Sequence, residues 1–263
     1  MDEETHVALI TGGGTGIGAA TARRLAADGY RIVVTGRRAE PIEAVASAVG
    51  GHSVVSDTSR EIDCREAVET TIERFGRLDV LVANAGVEAF GSADEVDLTA
   101  WRRVMEVNVD GVLLAVRASV EALKESRGAV VVVASVAALA AGPSFSAYVT
   151  SKTALLGLVR SLAVDLGPSG VRVNAICPGW VATEMSGREI AELGRALECS
   201  DESARERLVE NLPLNRMADP AEIASCISFL AGPDSSFITG SALIADGGGS
   251  AVDVGTLAYR DLG

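Results

Sequence analysis

Histidine, lysine and aromatic side chains are scarce in this chain of 263 residues, and each shortage closes off a class of function. Two histidines, His6 and His52, and four cysteines, Cys64, Cys177, Cys199 and Cys226, form no Cys-x-x-Cys pair and no cluster with zinc spacing, so no metal site is expected. The cysteines suit free thiols in a reducing cytoplasm. Positive charge is outweighed, with 23 Lys and Arg against 36 Asp and Glu and a formal net charge of -13. A surface that acidic repels nucleic acid and anionic membranes at long range, and neither is expected as a partner. Long apolar runs are missing too, the longest, around Ala129 to Ala141, being interrupted by Ser135. The opening MDEETHVALI is acidic rather than basic, which argues against a targeting leader.

What the chain has in quantity is apolar residues, at 48%, and 28 glycines. At this length it can bury roughly three quarters of its unfolded surface. No repeat, low-complexity linker or composition shift divides it, so one domain covering 1–263 is expected. The runs HVALIT, RIVVTG, HSVVSD, LDVLVANAG, GAVVVVAS, VRVNAICPG and SALIADGG read as about seven short strands, nearly all separated by stretches of helical pattern. Such alternation predicts an α/β fold, a doubly wound parallel sheet with helices on both faces. One region differs: 184–215 is charged and helical with no strand, follows the C-terminal end of a strand, and is expected to act as a lid over a ligand.

Residues 11–18 read TGGGTGIG. A plain turn needs one or two glycines, and each further one costs roughly 0.5–1 kcal/mol of chain entropy, so five point to an anion held by backbone N–H groups at a helix start. The spacing excludes a nucleotide-triphosphatase loop, because Ala19 and Ala20 stand where Lys and Ser or Thr belong. It also departs from GxGxxG and fits GxxxGxG, with Gly12, Gly16 and Gly18. Ile17, Ala20, Thr21 and Leu25 then share one helical face, so the turn lies between the first strand and an amphipathic helix, where an open α/β sheet binds a dinucleotide pyrophosphate.

The second strand ends Thr35, Gly36, Arg37, Arg38. A carboxylate there would bond the ribose hydroxyls of NAD; two guanidinium groups instead match a 2'-phosphate, which favours NADP, with NAD as the alternative.

Proton chemistry is supplied by YVTSK, in which Tyr148 and Lys152 are one helical turn apart on one face. With three tyrosines and two lysines in the chain, chance produces Y-x-x-x-K in only about two chains of a hundred. Lysine is also conspicuous here because 21 of the 23 basic residues are arginine. An ammonium about 5 Å from a phenol, at an effective dielectric near 20, is expected to lower its pKa by around two units. Ser135, at the end of GAVVVVAS, can place a hydroxyl on a substrate oxygen at the sheet edge.

Taken together, these residues resemble the short-chain dehydrogenases/reductases of the shorter, single-domain type, over the whole chain. TGGGTGIG matches the family's TGxxxGxG, Asp57 its adenine-contacting aspartate, and Asn84, Ala85 and Gly86 its NAG turn. Asn108, Ser135, Tyr148 and Lys152 match the catalytic tetrad, and Cys177, Pro178 and Gly179 with Thr183 resemble the segment that lines the nicotinamide and bonds its carboxamide. The resemblance implies an enzyme that moves a hydride between a nicotinamide cofactor and a ketone or secondary alcohol, in the first instance an NADPH-dependent ketoreductase. Tyr148 would be the general acid in reduction and the base in oxidation, Ser135 would polarise the carbonyl, Lys152 would also hold the nicotinamide ribose, and Asn108 would seat a relay water. Cofactor contacts are implied for Gly12, Gly14, Thr15, Gly16, Ile17 and Gly18, for Arg37, Arg38, Asp57 and Thr58, for Asn84, Ala85 and Gly86, for Tyr148 and Lys152, and for Pro178, Gly179, Val181 and Thr183.

Three positions depart from the pattern: Ala83 replaces an asparagine frequent before the NAG turn, Gly14 removes a hydroxyl, and Thr15 stands where many NADP enzymes carry a basic residue. An NAD-dependent alcohol dehydrogenase and a non-catalytic dinucleotide sensor are the alternatives, the intact Ser135, Tyr148 and Lys152 set arguing against the second. Ser169, where carrier-protein reductases of the family tend to place a basic residue, and the charge of -13 make an acidic carrier protein an unfavourable partner. Val87, Glu88, Phe145, Trp180 and the lid are expected to shape a pocket for a moderately apolar small molecule. Two long helices, about 98–124 and 147–166, carry apolar residues on more than one face and, with the resemblance, point to a homotetramer.

Overall fold

A computed structural model describes residues 5–262. The elements alternate from the start: β1 (Val7–Thr11), α1 (Gly16–Ala27), β2 (Arg31–Gly36), α2 (Ala39–Ala48), β3 (His52–Val55), α3 (Glu61–Phe75), β4 (Val80–Ala83) and α4 (Leu98–Met105). A π-helical turn, Glu106–Asp110, leads into α5 (Gly111–Ser126), followed by β5 (Ala129–Val133), α6 (Ser146–Leu166), β6 (Arg172–Pro178), α7 (Glu184–Ala196), α8 (Asp201–Val209), α9 (Pro220–Ala231) and β7 (Ala242–Ala245).

The seven strands form one parallel sheet in the order β3-β2-β1-β4-β5-β6-β7, as the alternation predicts. Strand side chains alternate between two cores. Leu9, Val33, Leu81, Val130 and Val173 face α3, α5 and α6, while Ala8, Ile10, Val34, Val82 and Ile176 face α1, α2 and α9. The central strands are therefore apolar on both faces and buried along their whole length. Helix ends follow local chemistry: α3 stops at Gly76, whose φ of +79° no β-carbon residue adopts easily, and α9 starts with Pro220 behind an Asp219/Glu222 capping box.

Strand order reverses between β1 and β4, because β1 leads outward to β2 on one side and β4 leads outward to β5 on the other. The crevice beyond the C-terminal ends of that pair is where this class of sheet binds ligands.

The helix expected over 98–124 runs without a gap but carries a π-helical turn in its middle. Asn108 is pulled out of the regular ladder by bonds to Val87 and Ser151, and the chain absorbs one extra residue per turn as the π segment. Gly111 follows because a β-carbon there would lie 2.8 Å from the Thr58 methyl. The second long helix falls where it is expected, as α6, and 184–215 holds α7 and α8 with no strand among the described residues.

Candidate active site

The glycine turn after β1 is locked by the turn after β4. Asn84 Nδ2 donates to the carbonyls of Thr11 and Gly12, each at 3.0 Å, and the Thr11 hydroxyl accepts from the amides of Asn84 and Ala85 at 3.0 and 3.1 Å. Gly12 has φ +64°, and a β-carbon on it would lie 2.9 Å from Ala85 Cα. One on Gly18 would collide with the Gly12 carbonyl oxygen. The glycines thus serve two ends: Gly12 and Gly18 close the turn on itself, and the turn so closed presents Thr15, Gly16 and Ile17 to a cavity at the N-terminus of α1.

That cavity, about 1010 Å³, runs from the ends of β1 and β2 to the far side of β6. Its nucleotide end is lined by Gly12, Thr15, Gly16, Ile17, Arg37, Arg38, Asp57 and Thr58, and its middle by Asn84, Ala85, Gly86, Ser135, Tyr148 and Lys152. Pro178, Gly179, Val181 and Thr183 complete it after β6. Val87, Glu88, Phe145 and Trp180 line it as expected. Gly14, Gly18 and Asn108 lie outside the lining: Gly14 backs onto Pro41 and Ile42 of α2, and Asn108 is buried behind the wall. A second recess of about 1140 Å³, between α1, α7 and α9, contains none of Ser135, Tyr148 and Lys152, which all line the first.

At the nucleotide end Asp57 is held by Ser59, whose amide and hydroxyl donate at 3.0 and 2.7 Å, and by Arg103 at 2.9 Å. Burial raises its pKa, but these donors outweigh burial and hold the carboxyl below its usual range. Arg103 itself lines the cavity; nothing local in the α4 sequence LTAWRRVM singles it out, since its partner is 46 residues away. Arg37 is exposed on the rim, and Arg38 reaches Glu184 of α7 at 3.6 Å, across the mouth of the cavity. Thr183 caps α7, its hydroxyl accepting from the Ser186 amide at 3.3 Å.

In the middle, β5 carries Ser135 just beyond its end and the first turns of α6 carry Tyr148 and Lys152 on one face. The Ser135 hydroxyl accepts from the Ala137 amide at 3.1 Å and hydrogen-bonds the Tyr148 phenol. Asn108 uses its whole side chain on protein partners, accepting from Val87 N and donating to Val87 O at 2.8 Å each and to Ser151 Oγ at 3.0 Å. It thereby fixes the segment after Gly86. Ser151, the residue before the lysine in YVTSK, is the fully buried anchor that sequence reasoning passed over.

The protonation states differ from the expectation of a phenol acidified by its lysine. Tyr148 is pushed up to about 12, chiefly by burial of its hydroxyl, with Glu88 and Glu189 adding in the same direction and Ser135 opposing. Lys152, only 4% exposed, is pulled down from 10.5 to about 8 by burial. Its ammonium donates to the Val133 carbonyl at 2.8 Å and stands 5.6 Å from the centre of the Tyr148 ring. An estimate from charge separation alone omits the desolvation that dominates here.

Beyond Tyr148 the cavity ends in Phe90 and Phe145, packed edge to face with centroids 4.8 Å apart, and in side chains of α7: Met185, Arg188, Glu189 and Glu192. Glu189 is raised well above the carboxylate range by burial and by the neighbouring Glu88 carboxyl, which is also its hydrogen-bond partner.

Comparison with known proteins agrees with this geometry. Residues 12–250 match the family model described as enoyl-(acyl carrier protein) reductase. The chain is 42% identical over 256 residues to Protein MoaE of Klebsiella aerogenes, covering 97% of this chain and 99% of that protein. Among solved structures it superposes on a variant of actinorhodin polyketide ketoreductase with NADPH at TM-score 0.90 and 30% identity, covering 94% and 98% of the two chains. It also superposes on 3-ketoacyl-(acyl-carrier-protein) reductase of Brucella melitensis complexed with NADH at TM-score 0.84 and 32% identity, covering 94% and 99%.

Proposed function

The chain belongs to the short-chain dehydrogenase/reductase family of oxidoreductases, and we propose that it is an NADPH-dependent ketoreductase acting on a small ketone or, in reverse, the secondary alcohol. The observation that carries this reading is the convergence of the Ser135 and Tyr148 hydroxyls with buried Lys152 in the same cavity as the closed glycine turn.

The residues present fit a dinucleotide. The glycine turn leaves backbone amides at the start of α1 for the pyrophosphate, and Gly16, with φ +52°, would otherwise carry a β-carbon toward the Thr183 methyl across that space. Arg37 and Arg38 would take the 2'-phosphate, Asp57 and Thr58 the adenine, Tyr148 and Lys152 the nicotinamide ribose, and Pro178 to Thr183 the nicotinamide. Bound there, the cofactor supplies the hydride in reduction and accepts it in oxidation.

The protein's own part is proton and position. A phenol with a pKa near 12 keeps its proton at neutral pH, which suits Tyr148 to give it to a carbonyl oxygen in reduction. Ser135 shares a hydrogen bond with that phenol and offers the second hydroxyl to the same oxygen. For oxidation the phenol must lose its proton, and a Lys152 ammonium moved off the Val133 carbonyl would make that easier. The π turn leaves Asn108 to seat a relay water by its backbone, its side chain being committed.

α7 and α8 form the lid: Arg38–Glu184 ties α7 to the end of β2, and Arg188–Glu88 ties it to the segment after β4. Assembly as a homotetramer is supported by two separate exposed apolar surfaces, Leu113 and Val164 on α5 and α6, and Phe229, Phe237 and Ile244 around α9 and β7. Four free cysteines support the cytoplasmic reading.

The test is a panel of neutral and charged ketones with NADPH and NADH, followed by the loss of reduced-nicotinamide absorbance. Turnover with NADPH as the better cofactor is expected; no turnover with any ketone or alcohol, despite tight dinucleotide binding, favours the sensor reading instead.

A further inference from the structure

The substrate end of the cavity is acidic where the reaction needs no acid. Glu88 comes from the segment after β4 that Asn108 clamps, and its side chain is only 12% exposed. Glu189 and Glu192 come from successive turns of α7 and line the same cavity. Their positive neighbour, Arg188, is two-thirds exposed and stands 3.9 Å from Glu88, at the outer limit of an ion pair and beyond hydrogen-bond distance. Lys152 faces the Val133 carbonyl rather than these carboxylates. The space between the acids and Tyr148 is walled by aromatic rings, Phe90, Phe145 and Trp180.

Resting on the reading of this cavity as a ketone and alcohol site, we propose that Glu88 and Glu189 bind a protonated amine on the substrate, so that the enzyme acts on amino ketones or amino alcohols whose ammonium group lies against these carboxylates and the Phe90/Phe145 wall.

Three independent features carry this. The carboxylates share a cavity with the reacting hydroxyls, close enough that both Glu88 and Glu189 act on the Tyr148 phenol. They come from two separate parts of the chain, the segment after β4 and α7, which the fold brings together at the site. The aromatic wall offers ring faces and edges beside them, the companion surface by which ammonium ions are recognised in apolar pockets. Without a cation, two carboxyls in hydrogen-bond contact cannot both be ionised, and Glu189 retains a proton. An ammonium ion placed between them removes that conflict: both ionise, and the proton leaves to solvent. The groups facing Glu189 are Glu88 from the segment after β4, Arg188 and Glu192 on α7, and Tyr148 on α6; of these only Arg188 favours ionisation.

The experiment uses the full chain loaded with its preferred dinucleotide and two matched probes, para-aminomethyl acetophenone and para-ethyl acetophenone, in which a methyl replaces the ammonium. Wild type should favour the ammonium ketone in kcat/KM by at least about tenfold. Calorimetric binding in two buffers of different ionisation enthalpy should show proton release near neutral pH with the ammonium probe and none with the ethyl probe. Glu189→Gln and Glu88→Gln should each collapse the ratio between the two probes, and Glu189→Gln should abolish the proton release. Equal treatment of both probes in turnover and in binding, or a preference for the ethyl ketone, overturns the charge assignment while leaving the ketoreductase reading intact. Failure of every ketone, neutral ones included, overturns both.

Discussion

At the nucleotide end of the cavity Asp57 is committed to Ser59 and Arg103 and Thr58 to the Gly111 carbonyl, and behind it Thr11 and Asn84 tie their two turns together, while Arg37 stays exposed on the rim. From the middle to the substrate end the ionisable groups have pKa values that water would not give them, a phenol raised to about 12, a lysine lowered to about 8 and a carboxyl that keeps its proton. The first end is a rigid seat made mostly of backbone. The second is a set of buried ionisable groups whose energies are poor in isolation and become useful when a ligand's charge and hydrogen bonds arrive. A change at the first end should therefore alter affinity and stability together, whereas a change at the second should separate them.

The sharpest separation is expected at Tyr148. Tyr148→Phe keeps the ring and removes the proton, so kcat should fall by about 10² to 10⁴. Dinucleotide affinity, measured by fluorescence titration, should stay within about threefold of wild type. A kcat near wild type would move the proton source elsewhere and dissolve the distinction between the two ends.

Lys152 tests the claim that the substrate end is strained. A lysine whose folded pKa is near 8, against 10.5 unfolded, binds fewer protons folded than unfolded between those values. Its burial weakens the fold progressively as pH falls from about 10.5 to about 8, and by the full amount below that. Lys152→Met keeps the length and removes the charge, so at neutral pH it should gain stability by about 3 kcal/mol at most, while activity all but disappears. The gain should shrink as pH rises toward 10.5. A variant less stable than wild type at neutral pH in denaturant titration would mean that the bond to Val133 outweighs the desolvation.

A smaller effect is expected at the seat itself. Arg37→Asp exchanges a guanidinium suited to a 2'-phosphate for a carboxylate suited to ribose hydroxyls. The ratio of kcat/KM for NADPH to that for NADH should fall by at least about tenfold, with kcat on the better cofactor little changed. A wild type that already prefers NADH on all substrates removes the basis for this change.

The same contrast explains what could be read from the sequence. TGGGTGIG and the NAG turn are legible because Gly12, Gly18 and Asn84 answer to backbone neighbours within the two turns, as Gly18 does to the Gly12 carbonyl. The parallel sheet of about seven strands and the helix carrying Tyr148 and Lys152 followed from pattern, while the strand order came only with the structure. The π turn at 106–110 was invisible because it depends on Asn108 finding Val87 and Ser151, 21 and 43 residues away. Arg103 and the Glu88/Glu189 pair were missed for the same reason, each being a meeting of distant segments. The direction of the Tyr148 shift was misjudged because spacing reports the charge partner and says nothing of burial.

Between seat and strained end stands α7, and its independence from the sheet can be measured at Gly187. A β-carbon there meets nothing within 4 Å, so Gly187→Ala adds helix propensity without a clash, worth about 0.8–1 kcal/mol in a helix interior. Two outcomes separate a lid from a structural helix. If α7 melts only with the sheet, the added propensity raises the global Tm, by about 2–4 °C for a chain of this size. If α7 opens by itself, the global transition stays where it was and amide exchange within Glu184–Ala196 slows by roughly fivefold. The second is expected, because α7 is held to the cavity rim by two long ion pairs, the exposed Arg38–Glu184 at 3.6 Å and Arg188–Glu88, exposed on the arginine side, at 3.9 Å, and buries only Ser186, Ile190 and Gly194 of its own residues. If α7 opens by itself, it takes Glu189 away from Glu88, and access to the site is then coupled with the charge that the site presents.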